Sequence, residues 1–206
     1  MRKYFLLIAA IALTFAACTK ESGVGGGTNN PGDSTSTPGN GSGSNGGSGG
    51  KTADSVVIFT DLKFSLTPGN ESYGRAFSSF KGKVYPDKEI PDTMGKYIDI
   101  FFNNFGANYM FFASANDATV DLKIPGTLTT LVRNHVPIDT FDVNAFDTIM
   151  HASTIKKLTI KTDDQSFATA DLPLVVFFQN GFGKKGIIKV KALSTDYIIA
   201  DVKVTY

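Results

Sequence analysis

The stretch LPLVVFFQNGFGKKGIIKVKALSTDYIIADVKVTY, residues 172–206, decides the fold class. Its first eight residues are an apolar run closed by Gln179, the pattern of a strand covered on both faces. Asn180-Gly181-Phe182-Gly183 follows, and glycines so placed mark a chain reversal. Ile188, Val190 and Ala192 then alternate with Lys189 and Lys191, the period of a half-buried strand. After Ser194-Thr195-Asp196, the run YIIADVKVTY reads as a final strand. Successive strands joined by tight connections predict an antiparallel arrangement.

Upstream the same signals recur. In residues 56–66, Leu62, Phe64 and Leu66 alternate with polar residues. In residues 97–102, Ile98, Ile100 and Phe102 fall on one side. Asn103-Asn104-Phe105-Gly106 reads as a turn before another strand, NYMFFAS. VDLKI, residues 120–124, ends at Pro125-Gly126 and is expected to form a short edge strand. One segment breaks the pattern. Val143, Phe146, Ile149 and Met150 are spaced by three, three and one, which is an amphipathic helix stripe, with Asp142 as its expected cap. The expected fold is mostly β: a single β-sandwich of about seven or eight strands with one short helix, an Ig-like topology being one option.

This domain, residues 51–206, is preceded by two segments of different character. The chain opens MRKYFLLIAAIALTFAAC, with Arg2 and Lys3 ahead of an apolar run and small residues before Cys18. That is the layout of a secretory signal peptide over residues 1–17. The apolar run is shorter than the roughly 20 residues a membrane-spanning helix needs. Residues 18–50 then carry 12 of the chain's 21 glycines with serine, threonine and asparagine. Such a composition cannot bury enough apolar surface to offset chain entropy, so it reads as a disordered tether. As a Gly-rich coil its span is on the order of 30 Å.

Cys18 is the only cysteine of the 206 residues, so no disulfide within the chain is possible. Phe15-Ala16-Ala17-Cys18 resembles the lipobox of bacterial lipoproteins, with Phe15 where Leu is usual. The resemblance implies cleavage before Cys18, a diacylglycerol on its thiol and a further acyl chain on the freed amine. Two or more chains give stable anchoring. Lys20-Glu21 resembles, weakly, the short charged signal that marks surface-facing lipoproteins of Bacteroides-type bacteria. SSFKGKVY, YIDIFF, FFASAND, FDVNAFDTI, VVFFQNGFGKKGIIKVKAL and IIADVKV together resemble uncharacterised envelope lipoproteins of those bacteria. This resemblance implies a β fold and an outer-membrane location, with the cell surface favoured over the periplasmic face, and carries no functional residues.

Charge excludes one class of partner. Of the 20 Lys+Arg, Arg2, Lys3 and Lys20 precede the domain, and of the 19 Asp+Glu, Glu21 and Asp33 do, so 17 of each sign remain. A neutral domain lacks the basic excess that nucleic-acid binding requires. The expected membrane contact is through lipidated Cys18 alone.

Motifs for catalysis are sparse. The two histidines, His135 and His151, lie 16 residues apart with no cysteine in the domain, too few ligands for a zinc site. Asp139, Asp142, Asn144 and Asp147 crowd one segment and form a candidate calcium set, without the glycine and distal glutamate of an EF-hand loop. GFGKKG lacks the Ser or Thr of a phosphate-binding loop. No cofactor or metal is expected, and the chain is not expected to be an enzyme. A tethered β domain presents its loops as a binding site. Tyr73, Tyr85, Tyr97 and Tyr109 are candidate sugar platforms, while the absence of Trp argues against a carbohydrate module and the phenylalanines are assigned to the core. Asp33-Ser34-Thr35, Asp54-Ser55-Val56, Asp92-Thr93-Met94 and Asp147-Thr148-Ile149 resemble O-glycosylation signals of the same bacteria. The expectation is a membrane-anchored, non-catalytic module for a glycan or protein ligand. The alternative is a structural, adhesin-like or pilin-like envelope subunit.

Overall fold

The computed structural model describes residues 54–206. The leader, Cys18, the tether and Asp33-Ser34-Thr35 lie outside the described residues. Among those described, no helix is long and apolar enough to cross a membrane.

Nine strands form two antiparallel sheets: β1 (Val56–Ser65), β2 (Ala76–Ser78), β3 (Lys83–Tyr85), β4 (Ile100–Asn104), β5 (Met110–Ala113), β6 (Leu131–Arg133), β7 (Leu174–Gln179), β8 (Lys185–Leu193) and β9 (Tyr197–Thr205). The larger sheet has the order β1-β9-β8-β7-β6, the smaller β3-β2-β4-β5. The mostly-β sandwich expected from sequence is therefore the fold. The count exceeds about seven or eight because β2, β3 and β6 have three residues each, too short to show a period.

Alternation along each strand sorts side chains into layers. Between the sheets lie Phe64, Phe77, Phe102, Phe112, Val176, Phe178, Ile188 and Val202, all buried. Phe64 meets Phe77, Phe102 and Phe112 edge-on, with centroids 5.2–6.3 Å apart, the geometry that the ring quadrupole favours. The outer face of the larger sheet is covered as well. Val175, Phe177 and Ile187 pack there against Phe146, Ile149, Ile155 and Ile160. This explains the unbroken apolar run of β7: both faces are buried. The outer face of the smaller sheet carries a third cluster around Phe101, Met94, Val120 and Ile124.

Three local expectations need correction. VDLKI is not an edge strand: Val120 and Ile124 turn into the outer cluster, while Asp121 reaches 2.9 Å to the Arg75 guanidinium. Arg75 also forks onto Asp87 and lies over the Phe101 ring. The single helix is two short ones, α1 (Ala145–Thr148) and α2 (Ala152–Lys156). The break arises because the chain between them is captured by the start of β1: His151 bridges to Ser55, and the Ala152 N–H donates to the Asp54 carbonyl. Val143, Phe146 and Ile149 face the sheet as the spacing predicts, but Met150 is exposed, and Asp142 accepts from the Asn144 N–H ahead of the helix instead of capping it. Ile98 precedes β4 and packs in the outer cluster, apart from Ile100 and Phe102.

Two ties hold these layers in register. Lys203 on β9 is buried and its Nζ donates to the carbonyl oxygens of Phe146, Asp147 and Ile149 at the end of α1. Lys191, at the bulge of β8, lies 2.7 Å from both Asp201 on β9 and Asp61 at the bulge of β1. The two irregular strands thus meet across β9.

Candidate functional site

At one end of the sandwich, the β7–β8 hairpin, the turn after β2 and the segment entering β4 converge. Asn180 is the organiser. Its backbone N–H donates to the Lys184 carbonyl, and its side-chain oxygen accepts from the Phe182 and Lys184 N–H groups. Gly183 at φ 76° completes the reversal in a conformation that other residues resist. The turn lifts Phe182 into solvent, 52% exposed.

The amide of Asn180 points the other way. Its Nδ2 donates to Asp99 Oδ1 at 2.8 Å. The second Asp99 oxygen accepts from the Ser79 N–H at 2.6 Å. Asp99 is 3% exposed. Burial pushes its carboxyl above the ordinary value, opposed by the hydrogen bonds from Ser79 and Asn180. The Ser79 hydroxyl and N–H and the Asn180 amide fill most, but not all, of the about four acceptor sites of a carboxylate.

Above this pair stand three near-parallel rings. Phe80, 63% exposed, lies on Tyr97 with centroids 4.4 Å apart and planes 16° apart. Tyr97 stacks in turn with Phe182 at 5.9 Å and 25°. Lys81 sits over the Phe80 ring, Lys96 over Tyr97 and Lys184 over Tyr206. The three rings, Asp99, Asn180, Lys184 and Tyr206, together with Val57 and Val204, line a cavity of about 280 Å³. Large apolar surfaces left in water mark interaction sites, and a mainly apolar hollow with a few convergent polar groups is the usual form of a small-ligand site. Chemically, the rings can take the apolar face of a ligand while Asp99 accepts a hydrogen bond from its hydroxyl.

The four tyrosines separate. Tyr97 belongs to this pocket. Tyr85 is buried in the outer cluster. Tyr73 packs on Tyr197 beneath Lys63. Tyr109, half exposed, joins Phe105 and Phe111 at the edge of a larger groove beside β5. Sequence reasoning missed Phe80, Phe182 and Asp99. Phe80 and Phe182 had one available signal: each sits next to glycine or lysine in a turn, outside any apolar period.

The other candidates are dispersed. His135 is exposed, its backbone N–H held by Asp163. His151 lies 3.3 Å from Asp54 at the surface. Asp147 pairs with Lys189, and Asp142 accepts from Asn144. Among the described residues no three His, Cys, Asp or Glu side chains gather as a metal site would need. Thr93 and Thr148, in two of the glycosylation-like triplets, are exposed, whereas Ser55 is half-buried.

The sheet edges bear on self-assembly. On β5, Met110 exchanges backbone hydrogen bonds with Phe167, and Phe112 exchanges both of its own with the Asn134 side chain. On β6, the Val132 carbonyl accepts from the Asp163 N–H. These edges offer no continuous row of free groups for strand addition. Comparison with protein-family models, curated proteins and solved structures gave no match to this chain.

Proposed function

We propose that the chain is a surface-facing outer-membrane lipoprotein, anchored through Cys18, whose β-sandwich is a non-catalytic glycan-binding module. The observation that carries this reading is the stack of Phe80, Tyr97 and Phe182 over the buried Asp99–Asn180 pair. A sugar ring has an apolar face and a rim of hydroxyls. Parallel aromatic surface matches the first and a buried carboxylate with free acceptor capacity the second. The site stands on turns fixed by a rigid sheet, which limits the entropy lost on binding.

Recognition is favoured over catalysis by the same geometry. Glycoside hydrolysis uses two carboxyl groups flanking the bond, and among the described residues lining this pocket Asp99 is the only Asp or Glu. A glycan array probed with the full-length protein in detergent tests the reading. Hits that share one sugar class and vanish with Tyr97→Ala support it; an array without hits contradicts it.

A further inference from the structure

Two hollows of the domain differ in charge. The groove beside β5, of about 770 Å³, has Asp117, Asp163 and Asp164 in its wall and no lysine or arginine. The aromatic pocket is the reverse. Lys184 is in its wall, and Asp99 is the only Asp or Glu there among the described residues. Asp99 is buried, most of its acceptor sites are filled by Ser79 and Asn180, and burial disfavours its charged form. It therefore presents little negative charge to the cavity. The domain as a whole is neutral, with 17 charges of each sign, so this division is local.

The cations come with the rings. Phe80, Tyr97 and Phe182 are carried by residues 79–81, 96–99 and 180–184, whose only charged side chains are Lys81, Lys96, Lys184 and Asp99. Lys81 Nζ lies 5.1 Å from the centroid of the Phe80 ring and Lys96 Nζ 5.0 Å from that of Tyr97. Neither lysine is in the cavity wall, but each is held against a ring that is. Lys184 Nζ lies 5.8 Å from the centroid of Tyr206, a further wall ring. An ammonium over a ring face is attracted by the ring quadrupole and keeps its charge. The turn that places Lys184 is fixed through its backbone: its N–H donates to Asn180 Oδ1, and its carbonyl accepts the Asn180 N–H.

These three lysines lack the partners that others have. Lys83 faces Glu89, Lys88 faces Glu71, Lys189 faces Asp147, and Lys191 lies between Asp61 and Asp201. Among the described residues Lys81, Lys96 and Lys184 are paired with no Asp or Glu. A paired charge has much of its field cancelled. Unpaired ammonium groups of one sign around a hollow with apolar walls focus a positive potential there, which draws an anion in. Lysine then meets a carboxylate or a sulfate as a point charge.

We infer that the sugar taken by this pocket is acidic: a pyranose bearing a carboxylate or a sulfate, its ring on the aromatic surface and its charge on Lys184, with Lys81 and Lys96 as flanking cations. This inference rests on the glycan reading of the pocket and names the class of glycan.

The test is isothermal titration of the full-length protein in detergent with two matched pairs of probes. One pair is oligogalacturonates and their methyl esters; the other is sulfated galacto-oligosaccharides and their desulfated forms. In at least one pair the acidic member binds about tenfold or more tighter at about 50 mM salt, and the gap narrows toward about 500 mM as the ammonium groups are screened. Lys184→Gln cuts the acidic-to-neutral ratio about threefold or more, and Lys184→Arg keeps it. The combined change Lys81→Gln, Lys96→Gln and Lys184→Gln closes the gap. Phe182→Ala weakens both members of the pair. Neutral forms that bind as tightly as acidic ones, with Phe182→Ala still damaging, overturn the acidic inference and leave the glycan reading intact. An acidic preference untouched by Lys184→Gln and by the combined change overturns the assignment to these lysines. No binding by any probe overturns both the inference and the glycan reading.

Discussion

Asn180 Nδ2 donates to Asp99 Oδ1 across 2.8 Å, joining residues 81 apart and tying the hairpin of the larger sheet to the segment that enters β4 in the smaller. The rings of the candidate site rise from the segments this bond connects. Burial has made Asp99 both a structural tie and a titratable group, and the two roles give separate expectations.

The first concerns pH. Asp99 has its carboxyl raised by burial, so the folded chain holds this proton at pH values where the unfolded chain has released it. The stability due to Asp99 is full below its ordinary pKa and is lost as pH rises through the raised folded value. Asp99→Asn cannot titrate. Urea midpoints of both proteins at pH 4, 5.5 and 7 should show the wild type losing ground to the variant as pH rises. A difference that is constant, or that moves the other way, would show that the carboxyl is not raised.

Lys203 supplies a second expectation. Its Nζ serves three carbonyl oxygens at the end of α1, at 2.7, 3.3 and 2.9 Å. Lys203→Met keeps the apolar stem and removes the donors. Hydrogen bonds to a charged group contribute about 1.5–3 kcal/mol, and a loss of that size should appear in denaturant unfolding. Unchanged stability would mean that those carbonyls are satisfied without the lysine.

Anchoring gives a third. If Cys18 carries the acyl chains, Cys18→Ser should release the protein from the membrane fraction while leaving the circular dichroism of the β domain unaltered. Continued sedimentation of Cys18→Ser with membranes would remove the lipid-anchor proposal and the surface location that depends on it.

Much of the sandwich was legible because strand period survives in a long strand. β7, β8 and β9 are six to nine residues each, and their alternation or doubly covered run states which faces are buried. Local period failed where tertiary capture decided the outcome. The helix stripe from Val143 to Met150 was interrupted by hydrogen bonds from residues 54 and 55, almost a hundred positions away. VDLKI carried a strand's alternation but was drawn onto the outer face of the smaller sheet by Arg75 and an apolar cluster.

The site was less legible for a related reason. Tyr97 was named as a candidate, but its partners Phe80 and Phe182 were hidden among 17 phenylalanines, most of which do fill the core. Composition cannot separate an exposed phenylalanine from a buried one; only the turn that presents it can. Asp99 was equally silent, one acid among 19, until the fold placed Ser79 and Asn180 against its oxygens.

The central claim is that the exposed rings over Asp99 bind a sugar. The most direct measurement is a paired one on Phe182→Ala: affinity for the strongest-binding oligosaccharide by titration, and thermal stability by calorimetry. Phe182 is half exposed, and such surface changes usually alter stability by about 0.5 kcal/mol or less. The account predicts a tenfold or greater loss of affinity with an almost unchanged melting temperature. Undiminished affinity in a stably folded Phe182→Ala protein would contradict it.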